Sequence, residues 1–288
     1  MKIAITGGAG FIGSHLTKAY LDAGHDVFVI DNLFYGTHDT IDGRARFYHV
    51  DIRDNKIATI LQKERPDIVS HHAARRNDEF IDESTMFDAD VHIHGLLNVL
   101  ESCTHASIKK FIFASGTRSM YGQISVEHLP LHEDAPLRPQ NAHDISKVAG
   151  EWYVRHYSRH YGLQHTILRY SDVYGPTEHN LSHHPLNYFT TMLLQEERPV
   201  IRGSGDEIHD HIFVDDVVQA NLSALRYGEN CTLHISSNQG YTLNQLYTLT
   251  STLLNCKTSP LYIAGVAPHM EIPALVLDNS LAHRVLGW

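Results

Sequence analysis

The run Gly7-Gly8-Ala9-Gly10-Phe11-Ile12-Gly13 constrains this chain more than any other stretch. It follows a short apolar run at residues 2–6 and opens a stretch with helical spacing at 11–23. Glycines at such a junction let the backbone turn tightly and pass close to a pyrophosphate. The amides and dipole of the next helix then favour the negative charge. A strand, a glycine turn and a helix in that order form the first unit of a parallel sheet, because parallel strands need a crossover between them.

The same rhythm continues. Residues 26–30, 46–50, 67–71, 109–114 and 164–169 read as strands, each a short β-branched or aromatic run between turn residues. Helical patterns at 53–63, 80–104 and 143–161 lie between them. The expected fold class is therefore α/β, a doubly wound parallel sheet with helices on both faces. Beyond about residue 170 Gly and Pro become frequent, as in Tyr174-Gly175-Pro176, and helices are expected near 184–196, 215–227, 242–255 and 279–286. The chain thus divides into a nucleotide-binding part, 1–170, and a smaller interleaved lobe, 171–288, over the open end of the sheet. Ligands of such folds bind in the crevice outside the carboxyl ends of the strands.

With 42% apolar and 19% charged residues, the 288-residue chain has the composition of a packed core and not of a disordered segment. A formal charge of −10 argues against general binding to nucleic acid, which needs clustered Lys and Arg. No stretch approaches the ~20 apolar residues of a membrane span. The N-terminus reads as a strand and not as a secretory signal, so a cytoplasmic protein is expected. Cys103, Cys231 and Cys256 are too scattered for a disulfide framework or a Cys-x-x-Cys metal site. Full protonation of the 23 histidines would move the charge from −10 to +13, so solubility should change strongly between about pH 5 and 7.

Asp31 ends the strand Val27-Phe28-Val29-Ile30, where a carboxylate can accept both ribose hydroxyls and repel a 2′-phosphate. NAD, not NADP, is therefore the expected cofactor. Gly7, Gly10, Phe11 and Ile12 would meet its pyrophosphate, Asp31 and Asn32 a ribose, and Asp51 and Ile52 the adenine. Ala73 and Ala74 would let the backbone pass close to the dinucleotide.

These residues are joined by Ser14-His15-Leu16, His72-Ala73-Ala74, Tyr121-Gly122, Ser146-Lys147, Leu168-Arg169-Tyr170, Val173-Tyr174-Gly175-Pro176 and Val214-Asp215-Asp216-Val217. Together they resemble the extended short-chain dehydrogenases/reductases, and within them the NAD-dependent nucleotide-sugar epimerases and dehydratases of the UDP-glucose 4-epimerase kind. The resemblance runs to Leu286-Gly287-Trp288, beyond which that family has a further helix. It implies a Rossmann-type sheet, NAD held also by Lys147 and Tyr170, and a nucleotide-sugar substrate. It further implies a homodimer, in which the helices near 80–104 and 143–161 pair across a two-fold axis.

The resemblance also implies a Ser or Thr, a Tyr and a Lys around the nicotinamide, with Tyr and Lys one helical turn apart. Thr117 and Lys147 occupy two of these positions, but His143 stands where the Tyr belongs. A neighbouring Lys⁺ stabilises tyrosinate, the base form of Tyr, whereas it opposes the cationic acid form of His. His143 is thus expected to act as a weak general base and a poor general acid, which makes alcohol–ketone chemistry slow.

The substrate end departs as well. His209 and Asp172 replace an expected Arg and Asn, and His for Arg removes a permanent charge and a bidentate grip on a diphosphate. Asn187 is a further substrate candidate, and Arg75, Arg76 and Arg118 add positive charge suited to a carboxylate or phosphate. His92-x-His94, His183-His184 and His209-x-His211 bring imidazoles together, but no third ligand is evident and no metal is expected. Three functions fit. The first is an epimerase or dehydratase working by transient hydride transfer through Thr117, His143 and Lys147. The second is an NAD-binding sensor or partner subunit without the redox step. The third is a non-redox lyase or isomerase with a structural NAD and His143 as base.

Overall fold

A computed structural model describes residues 1–75, 85–117, 120–176, 184–265 and 274–288. Seven parallel strands form one sheet in the order β3 (Arg46–His49), β2 (Asp26–Asp31), β1 (Lys2–Thr6), β4 (Ile68–His71), β5 (Lys110–Ser115), β6 (Gln164–Tyr170) and β10 (Cys231–Ile235). All six strands read from the sequence are present. Ile3, Ala4 and Ile5 of β1 and Phe28, Val29 and Ile30 of β2 are buried without alternation, because helices cover both faces. This is the Rossmann-type doubly wound fold.

On one face, α1 (Phe11–Asp22), α7 (Val214–Ala224) and α9 (Ser280–Leu286) pack Leu16, Val217, Ala220 and Leu286 against the sheet. On the other, α2 (Lys56–Glu64), α4 (Leu96–His105) and α5 (Ala142–Tyr161) contribute Ile57, Leu61, Val99, Leu100 and Val154. The helix expected over 80–104 is described from Thr85 onward and is not uniform. It runs as α3 (Thr85–Ala89), a π-helical stretch Asp90–Gly95, and then α4. Such a wide turn shifts the helix register, a device common near functional sites. A Cβ on Gly95 would stand 2.6 Å from Ile52 Cδ1, so the glycine lets this stretch close on the segment after β3.

Past residue 170 the chain forms small pieces. β7 (Asp172–Tyr174), β9 (Ile208–Phe213) and β11 (Gly240–Thr242) make a three-stranded sheet, and β8 (Val200–Arg202) pairs with β12 (Leu261–Ile263). Between α6 (Pro185–Leu194) and α8 (Leu243–Leu253), Phe189 and Leu246 are buried in a small core of their own. β10, α7 and α9 return to the main sheet, so three elements carry the interleaving of the two parts. No helix among the described residues is long and apolar enough to cross a membrane.

The strand order reverses between β1 and β4. Chain leaves the carboxyl ends of these two strands in opposite directions, and the crevice between them is the ligand position of the fold.

Candidate active site

That crevice is a cleft of about 470 Å³. Its floor is the glycine turn. Gly7 has a φ of +73°, and a Cβ there would stand 2.5 Å from the Ala73 nitrogen, so the two sides of the switch point meet backbone to backbone. At Gly13 an added Cβ would lie 2.1 Å from the Gly7 carbonyl oxygen, which lets α1 start directly at the turn. Gly10, Phe11 and Ile12, at the start of α1, line the cleft beside Gly7, as do Ala73 and Ala74 opposite.

Asp31 and Asn32 close one end. Asp31 accepts the Ala9 N–H at 3.0 Å and the Leu33 N–H at 2.8 Å, which ties the end of β2 to the glycine turn. Asp51 and Ile52 line the same end. The Asp51 carboxylate is gripped by Arg53 through Nε and Nη2, both at 2.9 Å, and by Asn32 Nδ2 at 2.8 Å. The Arg53 hydrogen bonds hold its pKa at about 2 against the effect of burial. Asp51 therefore orders Arg53 and Asn32 as well as facing the cleft. Exposed helix-start amides beside a tight glycine turn, with a strand-end carboxylate beyond, fit a dinucleotide with a pyrophosphate at its centre.

At the other end α5 delivers His143 and Lys147, one turn apart and both on the cleft wall. Asn141 caps this helix by accepting the Asp144 N–H at 2.9 Å, which fixes the turn that carries His143. Lys147 Nζ donates to the Ala114 carbonyl at 3.0 Å and lies 5.3 Å from the centre of the Phe113 ring. Burial pushes its pKa down to about 8, against the pull of Asp88 and Glu151. Tyr170 borders the cleft, but its hydroxyl lies 3.1 Å from His72 Nε2 and accepts from Asn221 Nδ2 at 2.9 Å. Burial drives His72 down to about 3, so a neutral ring meets that hydroxyl.

The remaining candidates are placed less simply. Thr117 is buried behind the wall, where its hydroxyl donates to the Tyr170 carbonyl at 2.8 Å; Ser115 and Gly116 line the cleft in its stead. Arg75 lies on the wall with its guanidinium 5.4 Å from the Phe87 ring centre. Arg76 and Arg118 fall outside the described residues. Asp172, Asn187 and His209 are not on the cleft wall but gather around β7 and β9. There Asp172 Oδ2 is 3.8 Å from His209 Nδ1, and Asn187 Nδ2 donates to the Gly175 carbonyl at 3.4 Å.

Of the paired histidines of the sequence, His209 and His211 stay together on β9 with ring centres 6.3 Å apart, while His92 and His94 part. His94 is exposed and 3.0 Å from Asp90, His211 Nδ1 is 2.9 Å from His184 Nε2, and His183 lies outside the described residues. Among the described residues, the group of three side chains with metal-ligand spacing is instead Asp88, His92 and His143. Asp88 was missed by the sequence analysis. Its one signal was the i, i+4 spacing to His92 inside an expected helix.

Residues 3–235 match the profile of the NAD dependent epimerase/dehydratase family. The UDP-glucose 4-epimerase of Lacticaseibacillus casei is 31% identical over 313 residues, which span 100% of this chain and 91% of that protein. Among solved structures, UDP-glucose 4-epimerase from Thermotoga maritima with UDP-glucose superposes with a TM-score of 0.95 at 34% identity, covering 100% of this chain and 93% of that one. The Thermus thermophilus UDP-glucose 4-epimerase complex with NAD gives 0.92 at 29% identity, with 100% and 93% covered.

Proposed function

The chain belongs to the NAD dependent epimerase/dehydratase family, and we propose that it epimerises or dehydrates a nucleotide sugar with His143 in the place of the family's tyrosine. One observation carries the reading: His143 and Lys147 share a wall of the same cleft whose other end holds the glycine turn and Asp31. NAD bound there supplies a hydride acceptor that can give the hydride back. The glycine-turn amides would hold its pyrophosphate and Asp31 its adenosine ribose. Lys147, mostly charged at neutral pH with a pKa of about 8, would hold the nicotinamide-side ribose. His143 takes the hydroxyl proton from the substrate and returns it. Thr117 shapes the wall through Tyr170.

The nucleotide-sugar class is supported by the UDP-glucose in the Thermotoga maritima structure. Arg75 at the cleft offers charge to an anionic group on the substrate. On α5, Ile145 and Trp152 are 55% and 59% exposed, a large apolar face for an outer helix surface. This face would meet a second copy of the chain, giving a homodimer.

The test starts with denaturing the purified protein and identifying any released dinucleotide. Turnover of wild type and His143→Tyr is then compared on UDP-, GDP- and dTDP-sugars. Turnover by wild type that His143→Tyr does not improve supports the reading. Bound NAD with no turnover on any sugar favours the sensor function. Turnover without a transient change in nicotinamide absorbance favours the non-redox enzyme. Failure to bind NAD at all overturns all three.

A further inference from the structure

We propose that Asp88 is the positioning residue of this site: a buried carboxylate that holds His143 with its proton on Nδ1 and so presents Nε2 to the cleft as the base. The proposal rests on the role given to His143 above. Asp88 lies in α3, which packs against α5, and is only 4% exposed. Its Oδ2 is 3.6 Å from His143 Nδ1. Asp88 Oδ1 and His143 Nδ1 are both sealed from solvent and have no hydrogen-bond partner among the described residues. Oδ2 is the oxygen that faces His143 Nδ1, and closure by about 0.7 Å brings the pair to the ~2.9 Å of a normal hydrogen bond. Catalytic hydrogen bonds are often long before substrate binds and tighten in the complex.

The neighbouring ring decides which histidine donates. His92 Nε2 lies 3.7 Å from the same Oδ2, but it accepts the Arg75 N–H at 3.2 Å. Its one lone pair on Nε2 is thus taken by that N–H, and Nε2 has no proton to give the carboxylate. His92 meets the His143 ring edge to face at 4.7 Å between centroids, which limits how that ring can rotate. The His143 side chain lines the cleft and is 20% exposed although Nδ1 is sealed, so the part of the ring it shows lies beyond Nδ1.

The charges are consistent. Burial alone would raise the Asp88 carboxyl, but the pull of His143, Ser146 and Arg75 outweighs it and keeps it below the ordinary range. An anion beside His143 favours the imidazolium formed when the ring takes a proton, and so works against the repulsion from the Lys147 charge. The substrate hydroxyl proton moves to Nε2, and the proton on Nδ1 stays facing Asp88. The imidazolium between them is the group that later returns a proton to the substrate oxygen.

Asp88, His92 and His143 also have donor atoms within 4.8 Å of one another, close enough for a metal. A metal would have to displace the Arg75 N–H from His92 and sit near two cations, Arg75 and Lys147, so the hydrogen-bonded pair is favoured.

The deciding measurement is ¹⁵N NMR on histidine-labelled protein, with the His143 signals identified by their loss in His143→Gln. Wild type is expected to show a protonated Nδ1 and an unprotonated Nε2, and Asp88→Asn to lose that preference. In turnover, Asp88→Asn should lower kcat on the order of 10²-fold. KM and dinucleotide affinity should stay near wild type, and Asp88→Glu should recover part of the loss. Three results would overturn the proposal: a protonated Nε2 in wild type, unchanged kcat in Asp88→Asn, or micromolar zinc taking over the His143 Nδ1 signal. The tautomer is read without turnover. Full activity in His143→Phe would instead remove the reading of His143 as base, whatever Asp88 does.

Discussion

Glu151 stands one turn beyond Lys147 on α5 and is fully buried, as is its partner Arg169 on β6 at 2% exposure. Arg169 grips it through Nε at 2.8 Å and Nη2 at 2.7 Å, while Arg155 and the cleft-wall Ser115 bind the same carboxylate at 3.0 and 2.8 Å. Glu151→Gln keeps the volume and removes the charge. Arg169 is then left with neutral acceptors alone: the one side-chain oxygen that glutamine keeps, the Tyr121 hydroxyl and the Glu133 carbonyl. Removing one partner of a buried pair costs about 3–5 kcal/mol. At an unfolding entropy of ~2.1 cal/mol/K per residue, a chain of this length should lose about 5–8 °C in Tm.

The assay is calorimetric melting at pH 7 of wild type, Glu151→Gln, Arg169→Met and the double variant. The double variant should recover most of the loss, since the fully buried cation is gone and the partly exposed Arg155 keeps its bond to the Thr232 hydroxyl. The pH dependence has a definite sign. Burial raises the Glu151 carboxyl, but the Arg169 hydrogen bonds and charge outweigh it and hold it below its ordinary value. Its contribution is therefore complete above the unfolded carboxylate's ~4.3 and is lost as pH falls through the lower folded value. The gap between wild type and Glu151→Gln should be flat from about pH 8 to 6 and shrink only below about pH 4. A drop under about 1 °C, or a double variant that falls by the full sum of the singles, refutes this account of the pair.

Lys147→Met should be more stable than wild type at pH 7 although inactive: the buried lysine's fall to about 8 corresponds to roughly 3 kcal/mol of charge burial that methionine avoids. Because unfolded lysine holds its proton up to ~10.4, wild-type stability should rise from pH 8 toward 10 and close the gap; melts at pH 7 and 9.5 read it, and a less stable variant at pH 7 sinks it. Asp31→Asn removes the charge that repels a 2′-phosphate, so the preference for NAD over NADP should shrink roughly tenfold in fluorescence titrations; an unchanged ratio counts against Asp31 as the discriminator. Trp152→Glu places a charge in the exposed apolar face of α5 and should shift sedimentation from dimer to monomer with the fold intact; a monomeric wild type removes the interface.

Much of the cofactor end is written in local sequence. The glycine turn, the apolar strand before it and Asp31 are recognisable because their roles follow from backbone freedom, strand burial and one charge at a strand end. The strands β1, β2 and β5 were legible because runs buried on both faces stay mostly apolar, and β3, β4 and β6 because each is a short β-branched or aromatic run between turn residues. The strands β7, β8, β11 and β12 were not, because three residues carry no periodicity, and β9 and β10 were not, because polar residues such as His209, Asp210, His211, Thr232 and His234 interrupt their apolar runs. His143 could be located by its spacing from Lys147, since one helical turn is a local distance. What surrounds it could not. Asp88 reaches His143 across 55 residues only because α3 packs on α5, and His92 is kept from donating by a backbone N–H at Arg75. Thr117 turns to the Tyr170 carbonyl, and Asp51 is also taken up by Asn32 from the end of β2, for the same reason. Local sequence determined which groups the chain carries to the cleft; tertiary packing decided which of their hydrogen-bonding atoms remain available there, because each polar atom buried by packing must find its partner among whatever the fold brings within about 3 Å.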